Sequence, residues 1–86
     1  DAVDRYVPGL ADRAATGEVW TGLRPCTPDG LPYLGPTQRW PNLLLAAGHA
    51  MLGLSLGPVT GRLVGELIDG EPPSVPIELL RPERFA

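Results

Sequence analysis

The segment GLSLGPVTGRLVGEL, residues 53–67, has apolar residues at helical spacing and a glycine at every fourth position. Each glycine inside a helix costs about 1 kcal/mol relative to alanine, so the glycines need a structural reason. Pro58 places the helix start within a few residues of Gly53, because proline is tolerated mainly near the first turn. Asp69 and Gly70, followed by two prolines, predict its end. We therefore expect one long helix whose glycines let it lie close to neighbouring backbone.

The remainder of the chain is rich in turn-forming residues, with eleven Gly and eleven Pro among 86 residues. Both counts exceed the usual frequencies of about 7% and 5%. Residues 18–24, EVWTGLR, are β-prone, and TPDG at 27–30 has the pattern of a type I turn. Residues 31–35, LPYLG, would form the returning strand. Residues 42–47, NLLLAA, are apolar throughout and predict a third strand that is covered on both faces.

The two ends of the chain complete the predicted fold. Residues 2–7 can form one or two helical turns, which Pro8 and Gly9 should end. The tail should pack over the body through its apolar residues Ile77, Leu79, Leu80 and Phe85. The predicted fold class is α+β: a short antiparallel sheet of about three strands, a truncated N-terminal helix and one long C-terminal helix.

Charge and cysteine content exclude several classes of protein. The net charge is −3 without a cluster of Lys and Arg, so no nucleic acid is expected as a partner. Cys26 is the only cysteine, which excludes an internal disulfide, offers no metal site and favours a reducing compartment, the cytoplasm. Arg62 and Glu66 interrupt the most apolar run, which stays below the ~18 residues of a membrane span. Peripheral contact with the inner membrane stays open.

Three motifs in order resemble one known family. They are WTGLRPCTPDGLPYLG at 20–35, NLLLAAGHAMLGLSLGPVTGRLVGELIDG at 42–70 and RPERF at 81–85. Together they resemble the C-terminal segment of the FAD-dependent amino-acid oxidoreductases: the D-amino-acid dehydrogenases and oxidases, glycine oxidase and their sarcosine-oxidase relatives. Members of this family also carry an N-terminal dinucleotide-binding fold with a GxGxxG motif, and this sequence contains no such motif.

The resemblance implies that residues 1–86 are a single C-terminal fragment of a two-domain flavoenzyme. The start DAVDRYVPGLADR, without an initiator Met, reads as the tail of a helix. In this division residues 1–17 are the end of a helix and a linker, and residues 18–48 hold the strands. Residues 49–70 form the flavin-facing loop and helix, and residues 71–86 form the tail. The implied partner is the missing N-terminal FAD-binding domain; alone, the fragment should be inactive, lose FAD and tend to self-associate.

The implied reaction is oxidation of the Cα–N bond of an amino acid, with D-amino acids favoured. Hydride passes from Cα to the flavin, and the imine hydrolyses to an oxo acid and ammonia. Secondary amino acids such as sarcosine, proline or hydroxyproline are the alternative substrates. Outside enzymes, the alternative is a small non-catalytic interaction module that binds a partner through the glycine-bearing helix.

The resemblance also assigns substrate-binding residues. Arg24 occupies the position of the family's carboxylate-binding arginine, and Pro25 restricts it to extended conformations. The alternative for Arg24 is a surface ion pair with Asp29 or Glu18. Met51 lies where glycine oxidase-like members have a second arginine, which implies a more apolar pocket. Tyr33 is assigned to the pocket, with core packing as the alternative reading.

The segment 49–55 resembles the part of the family that contacts FAD. Its backbone N–H groups would face the flavin edge where negative charge accumulates. His49 either contacts the flavin or hydrogen-bonds within the loop. The position of covalent flavin attachment in sarcosine oxidase-like members corresponds to Gly22, so FAD should be bound non-covalently. The cofactor-binding residues are His49, Ala50, Met51, Leu52, Gly53, Leu54 and Ser55. The tryptophans, Trp20 and Trp40, are interpreted as core and loop packing, and Asp29 as a turn former.

Overall fold

The computed structural model describes residues 2–86 and contains a small sheet, one long helix and several short helical turns. In chain order the elements are α1 (Ala2–Tyr6), α2 (Leu10–Ala14), β1 (Tyr33–Pro36), β2 (Leu44–Ala47), a 3₁₀ turn (Ala50–Leu52), α3 (Gly53–Ile68) and a second 3₁₀ turn (Glu78–Leu80). The predicted α+β class is confirmed. No helix among residues 2–86 is long and apolar enough to cross a membrane.

The helix α3 begins and ends where the sequence predicts. Asp69 follows its last residue, and Gly70, with a φ of 72°, donates to the carbonyl of Leu67 at 3.3 Å. Pro58 lies inside the helix and removes the N–H that would otherwise bond to the carbonyl four residues earlier. The ends of this helix are therefore determined by local sequence signals.

The predicted role of the later α3 glycines is wrong for the described chain. A Cβ at Gly57, Gly61 or Gly65 would meet no heavy atom within 4 Å outside the helix's nearby backbone. These glycines do not permit a close approach to another segment, because no described segment packs on that side of the helix.

The sheet is a single antiparallel pair. β1 and β2 pair with Tyr33 opposite Ala47 and Pro36 opposite Leu44. The chain between the strands is closed by Thr37, whose backbone N–H donates to Leu43 O at 3.0 Å and whose hydroxyl donates to Trp40 O at 2.7 Å. The two strands predicted at 31–35 and 42–47 thus form. β1 starts two residues later and ends one residue later than predicted, and β2 starts two residues later and ends at the predicted residue.

The first predicted strand does not form, so the sheet has two strands where about three were predicted. Residues 18–24 run without a ladder partner, and the side chains of Val19, Trp20 and Leu23 are exposed. The TPDG turn does form, with Gly30 N–H bonded to Thr27 O at 3.2 Å. It directs the chain into β1 without placing residues 18–24 beside it. A β-prone sequence needs a paired neighbour to become a strand.

The N-terminal helix is divided into two short helices. Gly9, with a φ of 79°, directly precedes α2, so the predicted break at Pro8–Gly9 is confirmed but the helix resumes after it. Asp4 Oδ1 accepts a hydrogen bond from the N–H of Ala11 at 3.2 Å. This bond links α1 to α2.

The hydrophobic core is very small. Among residues 2–86 only Leu34 of β1 and Leu63 of α3 are buried apolar residues, at 2% and 4% exposure. α3 packs against both strands, yet Ala46 and Ala47 of β2 remain exposed. The prediction that β2 is covered on both faces is therefore wrong, because the described chain provides a layer on one face only.

The tail packs over the body only in part. Ile77 and Leu80 are half-buried, whereas Leu79 is exposed. The ring of Phe85 meets that of Tyr33 edge to face, with 6.3 Å between the ring centroids. Thus the tail is attached to the body at its 3₁₀ turn, Glu78–Leu80, and at the C-terminal turn that carries Phe85, which lies near β1.

Candidate functional site

A cleft of about 460 Å³ opens between two segments that are distant in sequence. This volume lies within the ~300–1,000 Å³ of small-molecule sites. One wall is the extended segment 20–25, and the other is the 3₁₀ turn with the start of α3. The lining residues are Trp20, Thr21, Gly22, Leu23, Arg24, Pro25, Ala50, Met51, Gly53 and Leu54.

A backbone hydrogen bond joins the two walls. The N–H of Ala50 donates to the carbonyl of Pro25 at 3.1 Å. Ala50 has a φ of 50°, the only positive φ of a non-glycine residue in the described chain. A left-handed backbone costs an alanine roughly 1–2 kcal/mol, and such strain concentrates at functional sites. The Ala50–Pro25 bond therefore fixes the separation of the walls at the cost of local strain.

Arg24 presents a positive charge at this cleft. Its side chain is exposed and forms no ion pair within residues 2–86. Asp29, one of the two surface partners considered for it, pairs instead with Arg84, with 2.9 Å between Nη2 and Oδ1. Arg24 is therefore available to bind an anion, and a guanidinium pairs with a carboxylate through two parallel hydrogen bonds.

The start of α3 forms the second polar feature of the cleft. Leu52 occupies the N-cap position and gives no side-chain cap, and the first turn contains no acidic residue. The first N–H groups of a helix lack intrahelical partners and carry about half a positive charge. Gly53 and Leu54 line the cleft at this position, so the helix start and Arg24 both favour a ligand with negative charge.

Four large apolar side chains that line the cleft are exposed. Leu23 and Leu54 are almost fully exposed, Trp20 is 81% exposed and Met51 is 76% exposed. The interpretation of Trp20 as a core residue is wrong, because residues 18–24 do not enter a sheet. Trp20 lines the cleft instead. Its position four residues before Arg24 in one extended segment is the signal that could have identified it.

The structure brings only some of the predicted site residues together. Arg24, Ala50, Met51, Gly53 and Leu54 all line the cleft. Four other predicted residues do not line it in the described chain: Tyr33, His49, Leu52 and Ser55. Roles for these four in binding substrate or flavin stay predictions.

His49 and Tyr33 have partners elsewhere. His49 Nε2 lies 3.0 Å from Thr60 Oγ1, so its hydrogen bond reaches α3 and does not stay within the loop. The ring of Tyr33 lies under the guanidinium of Arg84, with 4.4 Å between Cζ and the ring centroid. These contacts hold the loop and β1 in place beside the cleft.

No group of three or more His, Cys, Asp and Glu residues within residues 2–86 could hold a metal ion. Cys26 is exposed and free, and it does not line the cleft.

Comparisons with known proteins identify the family of this chain. The sequence profile described as FAD dependent oxidoreductase matches residues 1–67. A D-amino acid dehydrogenase of Bradyrhizobium diazoefficiens (strain USDA 110) is 43% identical over 67 residues, which are 78% of this chain and 16% of that protein. The chain thus spans about a sixth of the length of this curated relative, and no solved structure matches it significantly. Because the profile covers more than half of the sequence, this chain belongs to the FAD-dependent oxidoreductase family.

Proposed function

We propose that this chain supplies the substrate-binding wall of a flavoenzyme that oxidises the Cα–N bond of D-amino acids. The observation that carries the proposal is Arg24, a guanidinium without an ion-pair partner in the described chain, in one cleft with the start of α3. Its relative from Bradyrhizobium is named a D-amino acid dehydrogenase. An amino acid has the carboxylate that such a cleft would bind.

Arg24 binds the substrate carboxylate in this proposal. A planar guanidinium can donate hydrogen bonds to both carboxylate oxygens at once, which fixes the orientation of the attached Cα. Pro25 keeps Arg24 extended, and Ala50 holds Pro25 through the bond to its carbonyl. Correct orientation of a reacting atom can contribute several kcal/mol to catalysis. The contribution of this chain is therefore positioning of the substrate.

Met51 and Leu54 make the cleft suitable for an apolar side chain. Both are exposed and both line the cleft. Glycine has no side chain to bury there, whereas each methylene of a larger amino acid contributes about 0.8 kcal/mol when buried. We therefore expect amino acids with apolar side chains to be preferred over glycine.

The residues at the second wall fit a flavin. The start of α3 has no side-chain cap, and its N–H groups favour the electron-rich carbonyl edge of such a ring. A Cβ at Gly53 would meet only His49 Cβ, at 3.8 Å, so Gly53 leaves room for a flat ring. Residues 49–55 would hold FAD non-covalently, since Cys26 does not line the cleft. Bound FAD would supply the acceptor for the hydride that leaves Cα.

The proposal includes a second domain that binds the rest of FAD. The sequence has no GxGxxG motif, which is the usual pyrophosphate-binding element. The exposed apolar side chains of Trp20, Leu23 and Leu54 border the cleft, and large exposed apolar groups mark surfaces that other protein segments cover. We expect the isolated chain to bind no FAD and to have no activity.

A substrate panel on the intact enzyme tests this function. We expect turnover of apolar D-amino acids, and in Arg24→Ala a rise in KM of about 100-fold, equal to ~2.7 kcal/mol of lost carboxylate binding. The matched control is Arg62→Ala, which removes a guanidinium that is exposed on α3 and pairs with Glu66. It should leave KM unchanged.

Three results would each contradict part of the proposal. Faster turnover of sarcosine or proline than of D-amino acids would assign the enzyme to secondary amino acids. Unchanged KM in Arg24→Ala would remove Arg24 from the substrate site. A purified 86-residue chain with a stoichiometric flavin spectrum would refute the need for a second domain.

A further inference from the structure

Arg84 is the most completely bound side chain of the tail, and it lies beyond the residues 1–67 matched by the family profile. All five N–H donors of a guanidinium have an acceptor here. Two bonds of 2.9 Å go to the carboxylate of Asp29. The other three go to the carbonyls of Leu31, Pro32 and Arg81 at 2.7, 3.2 and 3.2 Å. The side chain is only 9% exposed.

The aromatic rings beside Arg84 hold its guanidinium in one orientation. Its Cζ lies 4.4 Å from the ring centroid of Tyr33 and 4.9 Å from that of Phe85. Such cation–π contacts contribute about 0.5–2 kcal/mol each. Arg84 thus joins the tail to β1 and to the TPDG turn, 55 residues away from it in sequence.

The turn that Arg84 holds is built around Asp29 and Thr27. Asp29 Oδ1 accepts from the N–H of Leu31 at 3.0 Å. Thr27 Oγ1 lies 2.6 Å from Leu31 O and 3.0 Å from Asp29 Oδ1. Arg84 binds Asp29 and Leu31 directly, so it holds the turn and the residue that follows it.

The opposite side of the turn contacts the loop before α3. A Cβ at Gly48 would lie only 2.7 Å from Thr27 Cγ2, which means that Thr27 packs directly on the Gly48 backbone. Two residues further on, Ala50 donates to Pro25 O. Pro25 itself lies two residues before Thr27. The Arg84-bound turn therefore packs against the loop that leads into one wall of the cleft and is joined through Cys26 to the other wall.

We propose that Arg84, through Asp29 and Thr27, is a positioning residue that sets Arg24 and Ala50 at the separation needed to bind the substrate carboxylate. The expected effect of Arg84 on KM rests on the proposed function. Its structural consequence is independent of that function: without Arg84, the Ala50–Pro25 hydrogen bond opens more often. Arg84 does not line the cleft and acts only through the turn.

The test uses the intact enzyme with Arg84→Ala and the milder Asp29→Asn, which keeps the size of the side chain. Arg62→Ala is the control, because it removes another arginine that is paired with a carboxylate but is far more exposed. The first measurement is hydrogen exchange of the Ala50 amide. We expect about tenfold faster exchange in both variants, equivalent to ~1.4 kcal/mol of lost protection, and no change in Arg62→Ala.

The second measurement separates positioning from general stability. KM and kcat are compared for an amino acid and for its carboxamide analogue, which lacks the negative charge. We expect KM for the amino acid to rise about tenfold, equal to ~1.4 kcal/mol, with kcat within about twofold and KM for the carboxamide unchanged. Arg84→Lys should behave like Arg84→Ala, because lysine cannot reproduce the planar fork.

Either of two results would overturn the inference. One is an Ala50 amide as protected in both variants as in the unaltered enzyme. The other is an equal rise in KM for the amino acid and its carboxamide, which would indicate a general structural role. If the enzyme does not oxidise amino acids at all, the proposed function fails alone, and Ala50 exchange still decides the role of Arg84.

Discussion

At the scale of single residues, Arg24 and Arg84 show how tertiary contacts divide one residue type into two roles. Asp29 lies five positions from Arg24 and 55 from Arg84, so sequence separation favours the nearer arginine. The structure pairs Asp29 with Arg84, because the tail packs beside the TPDG turn and brings Arg84 within 2.9 Å of the Asp29 carboxylate. Asp29 was predicted as a turn former, and its bond to the N–H of Leu31 confirms this. Its second role as a partner of Arg84 had no local signal.

Stability should fall at acid pH through Asp29. The Arg84 guanidinium holds the pKa of the Asp29 carboxyl well below its usual range, with further hydrogen bonds from Leu31 and Thr27. A carboxyl with a lowered folded-state pKa stabilises the fold above its unfolded pKa of about 3.9, and this stabilisation is lost as pH falls below that value. The urea midpoint of the unaltered chain should therefore begin to decrease below about pH 5 and continue to decrease below about pH 3, because the folded-state pKa of Asp29 is so strongly lowered.

Asp29→Asn is the matched variant for this prediction. It should show a shallower decrease over the same pH window, because it has no carboxyl to protonate. Glu66, whose pKa is lowered mainly by the backbone N–H of Ser74, contributes in the same direction and remains in both proteins. Equal pH slopes for the two proteins would show that the Asp29–Arg84 pair does not contribute to stability.

At the scale of elements, the sequence predicted helix α3 and both paired strands but failed for residues 18–24. The ends of α3 depend on Pro58 and Gly70, which act on backbone geometry within one turn. A strand instead depends on a neighbour that can be far away in sequence. Residues 18–24 have β-prone side chains, and no described segment pairs with them. Residues 20–24 of this segment line one wall of the cleft.

The surroundings of two glycines, Gly61 and Gly48, predict opposite effects on stability when each is replaced by alanine. Gly61→Ala should stabilise α3 by about 1 kcal/mol, because its Cβ would meet no atom within 4 Å. Gly48→Ala should destabilise the chain, since Gly48 has a φ of 80° and its Cβ would lie 2.7 Å from Thr27 Cγ2. Thermal unfolding followed by circular dichroism at 222 nm measures both changes. A lower melting temperature for Gly61→Ala would contradict the finding that nothing packs against α3 at Gly61.

At the scale of the whole molecule, residues 2–86 bury too little apolar surface to resemble an independent domain. The radius of gyration is 17.2 Å, whereas a compact domain of this length has about 12 Å. Only two apolar residues are buried among those described. Hydrophobic burial is the main favourable contribution to folding, so stability comparable to that of a compact domain requires contacts with further protein.

Self-association of the isolated chain is the expected consequence. Leu54 is almost fully exposed at the cleft, and apolar side chains of this size favour association. Leu54→Glu should lower the apparent mass measured by light scattering after size exclusion at micromolar concentration. Leu79→Glu alters an exposed leucine of the tail and should have a smaller effect. A monomeric unaltered chain would contradict this expectation.

The sequence by itself determined the local features of this protein: the ends of α3, the TPDG turn, the two paired strands and the family to which the motifs belong. These features depend on backbone preferences of a few adjacent residues. Only the tertiary structure decided that Asp29 binds Arg84, that Trp20 lines the cleft and that the N–H of Ala50 bonds to the carbonyl of Pro25. Each of these depends on where distant segments meet, and that position is determined by packing of the whole chain.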